Sequence, residues 1–364
     1  MIMKILLLDN SGINYENGEY FIDKRTGEFA EDLKNLGHDI TFFGQIIYNS
    51  NTHTHVYSIL KNGMHTCGLR RRNKILTYVL LYLKSIPVIL RSDFVYMFYP
   101  NAFKYVTFFC KLAGKSYGLY IRGMQGINTK VSHKIYSHAY TIFTVSDYFT
   151  GNINKSVGRD VANTIRPMIS FTEKDIIKSR EYISKERYNL LYLGRTTDDK
   201  GIIELLHAVA KLKQQNYNFH LTIVGNVLKI LAGNLKINDL VSFEGGIFDQ
   251  ELIKKYYLDA DIFILPSYHE GFPRTLYESM IFGTPIVTTF VGGISLLMKD
   301  NFKEIKPKSI DSIINVLDYA MNNYQIMGEM AKNGTKTVQY ILKSRKMPHA
   351  EHLHNILINE KNTQ

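Results

Sequence analysis

Twice along this chain of 364 residues, short apolar runs of strand length alternate with longer runs of helical periodicity, and a charged stretch separates the two series. The first series runs KILLLD, TGEFAEDLKNLG, HDITFFG, a basic helical segment, DFVYMFY, FKYVTFFCKLAG, SYGLYIRG and YTIFTVS. The second runs NLLYLGR, GIIELLHAVAKLKQ, FHLTIVG, LVSFEGG, DQELIKKYYLDA, DIFILPS, FPRTLYESMIFG and TPIVTT. Such alternation predicts parallel sheets wrapped by helices on both faces. A single core rarely grows beyond ~250 residues, so the length calls for two domains. The expected fold class is therefore α/β, with two doubly wound units: 1–170, a charged linker at 171–188 (FTEKDIIKSREYISKERY), and 189–345, followed by a C-terminal helix at 346–364. Ligands of such sheets bind off the carboxyl ends of the strands, which sets the loops there apart as candidates.

Composition removes several classes. Hydrophobic content of 45% and charged content of 21% are those of a folded globular chain. Cys67 and Cys110 form neither a metal spacing nor a disulfide framework and fit a reducing cytoplasm. The run MIMKILLLD reads as a buried first strand and is too short for a secretory signal. No run approaches the ~20 apolar residues of a spanning helix, because Lys84 and Pro87 interrupt the best candidate, Ile75 to Leu90. The net charge of +11 is concentrated early, with fifteen basic residues against three acidic ones between positions 51 and 165. A polyanion could answer that charge, but no nucleic-acid motif accompanies it, so no nucleic acid is expected. Within it, GLRRRNKILTYVLLYLKSIPVIL has two readings: a helix lying on an anionic bilayer, or a core helix with a solvated basic end.

Two loops carry candidate chemistry. After DIFILPS, the chain reads YHEGFPRTLYESMIFGTPIVT, which places Glu270 on a strand-to-helix turn and Glu278 in the second turn of a helix starting at about Pro273. The backbone N–H groups of Arg274, Thr275 and Leu276 then point out of the open helix end, where an anion is favoured. Upstream, LGRTTDDKGII ends a strand at Gly194 and offers Arg195 as a planar fork and Lys200 as a point charge, a pair suited to a diphosphate. A glycosidase would use paired carboxylates as acid and nucleophile, but Glu278 beside a phosphate-binding helix end suits a ribose better. With the diphosphate already neutralised by cations and a helix dipole, metal independence is expected, with no cofactor beyond a substrate nucleotide.

The order E-G-F-P, a helix with the second Glu, then G-T-P-I-V, together with G-R-x4-K-G upstream, resembles the retaining glycosyltransferases of family 4, also called glycosyl transferases group 1. The resemblance is specific from about Asn189 to Gly293 and diffuse before it. It implies the GT-B architecture, two Rossmann-like domains facing across a cleft, with acceptor bound by the first and nucleotide-sugar donor by the second, and the last helix packing back on the first. It implies catalytic roles for Arg195, Lys200 and Glu270: the two cations on the leaving diphosphate, the carboxylate on donor sugar hydroxyls. Donor binding falls to Gly271, Phe272, Pro273, Arg274, Thr275 and Leu276, to Glu278 on the ribose, to Gly246 and Ile247 beside the nucleobase, and to Gly27 as the glycine expected to open a helix near the donor phosphates.

The match departs from family habit at three places. Arg122, in YIRGMQG, stands where relatives carry a histidine, and it either meets an acceptor phosphate or carboxylate or is structural. The N-terminal glycine turn is poorly matched, and Leu296 replaces a common glutamate after Gly292 to Ile294. The leading expectation is a retaining transferase that moves a sugar onto a glycan or lipid-linked glycan acceptor in bacterial surface polysaccharide synthesis. Such an enzyme would be cytoplasmic or peripheral at the inner membrane face. The alternatives are a GT-B epimerase or phosphorylase, or a non-catalytic nucleotide-sugar or polyanion binder.

Overall fold

The computed structural model describes residues 2–9, 11–48, 55–71, 74–100, 102–121, 128–225, 229–297 and 300–362. Two compact units are present, one formed by 1–168 with 347–364 and the other by 169–346.

The first unit begins with β1 (Lys4–Leu8), the hairpin of β2 (Ile13–Glu16) and β3 (Glu19–Asp23), helix α1 (Lys24–Asn35), and the long strand β4 (Asp39–Tyr48). Strands β5 (His55–Ser58) and β6 (His65–Arg70) precede helix α2 (Lys74–Arg91). Then follow β7 (Phe94–Tyr99), α3 (Val106–Leu112), β8 (Ser116–Ile121), α4 (Lys130–His138), β9 (Thr141–Thr144), α5 (Asp147–Val157) and β10 (Ala162–Thr164). The sheet order is β10-β9-β8-β7-β1-β4-β2-β3-β5, with β6 also paired to β4. All pairs are parallel except β2 with β3 and β3 with β5. All six residues of β7 are buried, which explains why FVYMFY reads as an unbroken apolar run: a central parallel strand is covered on both faces.

Gly27 has a different role from the one its sequence context suggests. Asp23 caps α1, its carboxylate accepting from the N–H groups of Arg25 and Thr26, so Gly27 lies inside the helix rather than at its opening. A Cβ there would sit 2.1 Å from the Tyr57 ring, so this glycine makes room for an aromatic side chain. The left-handed glycine at the carboxyl end of β1 is Gly12, at φ +78°. Just before it, the Asp9 carboxylate accepts from the backbone N–H and hydroxyl of Ser11.

The second unit contains β11 (Tyr188–Leu193), α6 (Ile202–Gln214), β12 (Phe219–Val224), α7 (Lys229–Asn234), β13 (Val241–Gly245), α8 (Gln250–Asp259) and β14 (Ile262–Leu265). It continues with α9 (Arg274–Ile281), β15 (Ile286–Thr288), α10 (Ile294–Leu297), β16 (Lys303–Glu304), α11 (Ile310–Asn322) and α12 (Tyr324–Ser344). The six strands are all parallel, in the order β13-β12-β11-β14-β15-β16. Sequence reading passed from FHLTIVG straight to LVSFEGG; the structure inserts α7 between them, as a parallel pair requires a crossover. The strand order reverses between β11 and β14, so the loops after these two strands diverge from a topological switch point.

The charged stretch 171–188, expected to be a linker, lies within the second unit. Phe171 and Tyr188 are buried in its core. Arg180 fans its guanidinium onto the carbonyls of Tyr257 and Phe282 and the Thr284 hydroxyl, each at 3.2 Å, and onto the Ala260 carbonyl. Tyr182 donates to the Gly283 carbonyl at 2.7 Å and lies against Gly328, where a Cβ would be 2.3 Å from its ring. The segment is a strap whose exposed side carries the charges, which is why its composition resembles a linker's.

The chain ends in α13 (His349–Asn362), which belongs to the first unit. His349 packs among the rings of Phe29, Tyr96, Tyr120 and Phe143, and His354 Nδ1 lies 2.9 Å from His38 Nε2.

Candidate active site of the second unit

The loops after β11 and β14 are held together by backbone contacts that leave no room for side chains. Residues 198–200 form one tight 3-10 turn ending at Gly201, whose φ of +66° is left-handed and whose Cβ, if present, would lie 2.1 Å from the Pro266 carbonyl oxygen. Next to it the Tyr268 N–H donates to the Asp199 carbonyl at 2.8 Å. A third loop joins them after β15: Gly292, at φ +61°, would place a Cβ 1.8 Å from the Glu270 carbonyl oxygen, and the Gly293 N–H donates to the Gly271 carbonyl at 3.1 Å. Only glycine permits these approaches.

This packing delivers Lys200 to Glu270. The Lys200 ammonium is 2.6 Å from Glu270 Oε1, and the two side chains are only 12% and 10% exposed. Arg195 precedes the turn with an exposed side chain, and its carbonyl accepts the hydroxyl of the buried Tyr192. The Thr197 hydroxyl, with the nearby Lys200 and Arg195 charges, holds the Asp199 carboxyl below its usual range against the opposing effect of burial. Burial, with the Glu270 and Asp199 carboxylates nearby, pushes the Tyr192 phenol upward and keeps it a neutral donor. Four charges, two of each sign, thus gather on the loops after β11 and β14 beside the neutral, hydrogen-bonded Tyr192.

Helix α9 starts one residue later than the sequence suggests. Pro273 is its cap, at φ −67° and ψ 116°, and Arg274 is the first helical residue. The Leu276 N–H turns back to the Pro273 carbonyl at 3.2 Å, so the outward donor set of the first turn narrows to Arg274 and Thr275. Gly271 and Phe272 form the turn before it, both half-buried, with the Phe272 ring beneath Gly293. Glu278 is in the second turn as expected, but it is 4% exposed and its Oε2 accepts from the Tyr257 hydroxyl at 3.1 Å. Tyr257, from α8, also reaches the Thr275 carbonyl at 3.3 Å, so one phenol ties the glutamate to the helix end.

Gly246 and Ile247 follow β13, the first exposed and the second half-buried against the core. Gly27 is in the other unit, inside α1. Arg122 lies outside the described residues, as do the side chains of Leu296 and Leu297. Sequence reading missed Gly201, Gly292 and Gly293 as the residues that set the site; a glycine at the carboxyl end of a strand or opening the next helix was the available signal. Among the described residues, no group of three or more His, Cys, Asp or Glu side chains could hold a metal ion.

Residues 173–337 match the family model "Glycosyl transferases group 1". A putative teichuronic acid biosynthesis glycosyltransferase, TuaC of Bacillus subtilis, is 28% identical over 171 residues, covering 46% of this chain and 41% of that protein. The amylovoran biosynthesis glycosyltransferase AmsK of Erwinia amylovora is 34% identical over 140 residues, 35% of this chain and 34% of that one. The chain therefore matches less than half the length of these curated relatives. Among solved structures, sucrose-phosphate synthase from Thermosynechococcus elongatus superposes with a TM-score of 0.68 at 16% identity, covering 100% of both chains. Anabaena HepE in complex with UDP and glucose superposes with a TM-score of 0.64 at 17% identity, over 99% of both. Over residues 173–337 the second unit is therefore similar to the glycosyl transferases group 1 family, and the chain's fold is the GT-B fold of these solved structures.

Proposed function

We propose that the protein is a retaining glycosyltransferase that moves a sugar from a nucleoside diphosphate donor to a glycan or lipid-linked glycan in surface polysaccharide synthesis. The observation that carries this reading is the Lys200–Glu270 pair at the switch point, set beside the open end of α9. Arg195 and Lys200 take the leaving diphosphate, with the N–H groups of Arg274 and Thr275 adding the helix dipole. Glu270 accepts from donor sugar hydroxyls, Glu278 serves the ribose, and Gly246 and Ile247 flank the base. Because Lys200 and Glu270 hold each other at 2.6 Å, donor binding exchanges this ion pair for a cation on phosphate and a carboxylate on sugar. The site is preorganised with opposite charges where opposite charges develop: negative on the departing phosphate, positive at the anomeric carbon.

In the transfer step the acceptor hydroxyl oxygen bonds to the anomeric carbon on the face from which the phosphate departs. The carbon–phosphate oxygen bond breaks with its electron pair going to the diphosphate, and the hydroxyl proton ends on that leaving oxygen. No metal is required in this account, since cations and backbone donors already meet the charge. Names of relatives support the acceptor class: TuaC and AmsK are named for teichuronic acid and amylovoran biosynthesis, and a third relative, from Salmonella typhimurium, is a lipopolysaccharide N-acetylglucosaminetransferase. HepE, whose complexes hold UDP and glucose or UDP-glucose, supports a nucleotide-sugar donor. The test is transfer in the presence of EDTA, with the anomeric configuration of product read by proton NMR. Retention by the native protein, lost in Glu270→Ala with the fold intact, is expected; an inverted product, or full activity in Glu270→Ala, rejects the reading.

A further inference from the structure

Helix α2 is amphipathic in the reverse sense. Its buried face, at four-residue intervals, is Thr77, Leu81, Ser85 and Ile89, two of them hydroxyl residues. Its solvent face includes Ile75, Leu76, Val79, Leu80, Leu83 and Leu90, and no exposed position between Ile75 and Leu90 is polar or charged. Ile75 is 77% exposed and Leu83 58%. An ordinary surface helix places these classes the other way round. Tyr82 sets the segment containing α3 alongside: its ring is 6.3 Å from that of Phe109, and its hydroxyl donates to the Ala102 carbonyl at 2.9 Å. This second segment adds Tyr105, Phe108 and Leu112, 52%, 57% and 70% exposed, at i, i+3 and i+7 spacing. The apolar surface is therefore built from two elements, not from one frayed helix.

Between Arg70 and Lys115 the chain carries nine basic residues and one acidic residue, Asp93, whose carboxylate accepts from the Lys4 N–H at 2.8 Å. We infer that the α2 and α3 face docks on an anionic lipid bilayer, with the leucines in the acyl boundary and the basic residues among the headgroups. Charge selects this occupant over a second copy of the chain, whose matching face would bring like charges together. Among the described residues, no helix is long and apolar enough to cross a membrane, so α2 lies in the interface rather than through it. The inference stands on the surface of the first unit and is separate from the donor site of the second.

The test is co-sedimentation of the full chain with vesicles of phosphatidylglycerol and phosphatidylcholine, and with vesicles of phosphatidylcholine alone. Binding to the anionic vesicles is expected, weakened at least about tenfold by combined Val79→Asp and Leu83→Asp substitution. The melting temperature and nucleotide titration of that variant should match the native protein, which keeps this result independent of the donor reading. Equal vesicle binding by the variant, equal binding to both vesicle types, or binding to neither overturns the inference. A native dimer in sedimentation velocity that the two substitutions disperse would assign the face to a second copy and overturn it as well.

Discussion

Replacing Lys200 by methionine keeps the hydrocarbon stem and removes the ammonium, leaving Glu270 with its carboxylate about nine-tenths buried and its partner gone. Breaking a buried ion pair by removing one member costs ~3–5 kcal/mol, because the remaining charge has lost water without compensation. With 10–12% of each side chain still exposed, the lower end applies, about 3 kcal/mol. For a unit of this size that is a fall of roughly 6–12 °C in melting temperature. Glu270→Gln strands the lysine in the same way and should also destabilise. The double variant Lys200→Met/Glu270→Gln buries no unpaired charge, so the cycle should show a coupling of at least about 1 kcal/mol in favour of the pair. Calorimetry of the four proteins at neutral pH and constant ionic strength reads all three differences. A Lys200→Met melting point within about 2 °C of native, or effects that add within ~0.5 kcal/mol, would refute the pair and with it the claim that donor binding exchanges it.

Gly292→Ala, at a left-handed φ with its Cβ 1.8 Å from the Glu270 carbonyl, should lower the melting point and abolish nucleotide binding. Gly151→Ala, inside α5 with open space around it, should stabilise by about 0.5–1 kcal/mol; reversed signs in the two melting curves would contradict the backbone argument. Arg180→Ala should destabilise the second unit by at least ~2 kcal/mol in urea unfolding, since it strips donors from three carbonyls, whereas a true linker residue would change nothing. Burial, then the neighbouring His354, lowers the His38 pKa from 6.5 to about 4, and burial lowers His352 as well. The unfolded chain therefore takes up protons first, and the stability of the first unit should be present above about pH 6.5 and lost as pH falls toward 4. His38→Asn should flatten that slope in melting curves; an unchanged slope would show that His38 does not carry it.

The parallel sheets were legible because central strands such as FVYMFY and DIFILPS are buried on both faces and leave unbroken apolar runs. The Glu270 turn was legible because Gly-Phe-Pro can do little but end a strand and begin a helix. Positions whose meaning depends on a distant neighbour were not. Gly27 looked like a phosphate-loop glycine and instead accommodates Tyr57, thirty positions on. The strap 171–188 looked like a linker because its anchors, Arg180, Tyr182 and Lys185, are polar residues whose partners lie on backbone carbonyls and Asp261 far along the chain. The reversed face of α2 has the same cause: periodicity marks which residues share a side of a helix, and only packing decides which side faces in.

The central claim is that the loops after β11 and β14 form a nucleoside diphosphate site. Isothermal titration of the native protein with UDP, GDP and ADP in EDTA, repeated with Arg195→Ala, tests it most directly. The account predicts that one of the three binds the native protein and binds Arg195→Ala at least about tenfold more weakly, the loss of a charge-assisted phosphate contact worth ~1.5–3 kcal/mol. Binding of none by folded protein, or equal binding by Arg195→Ala, would contradict it.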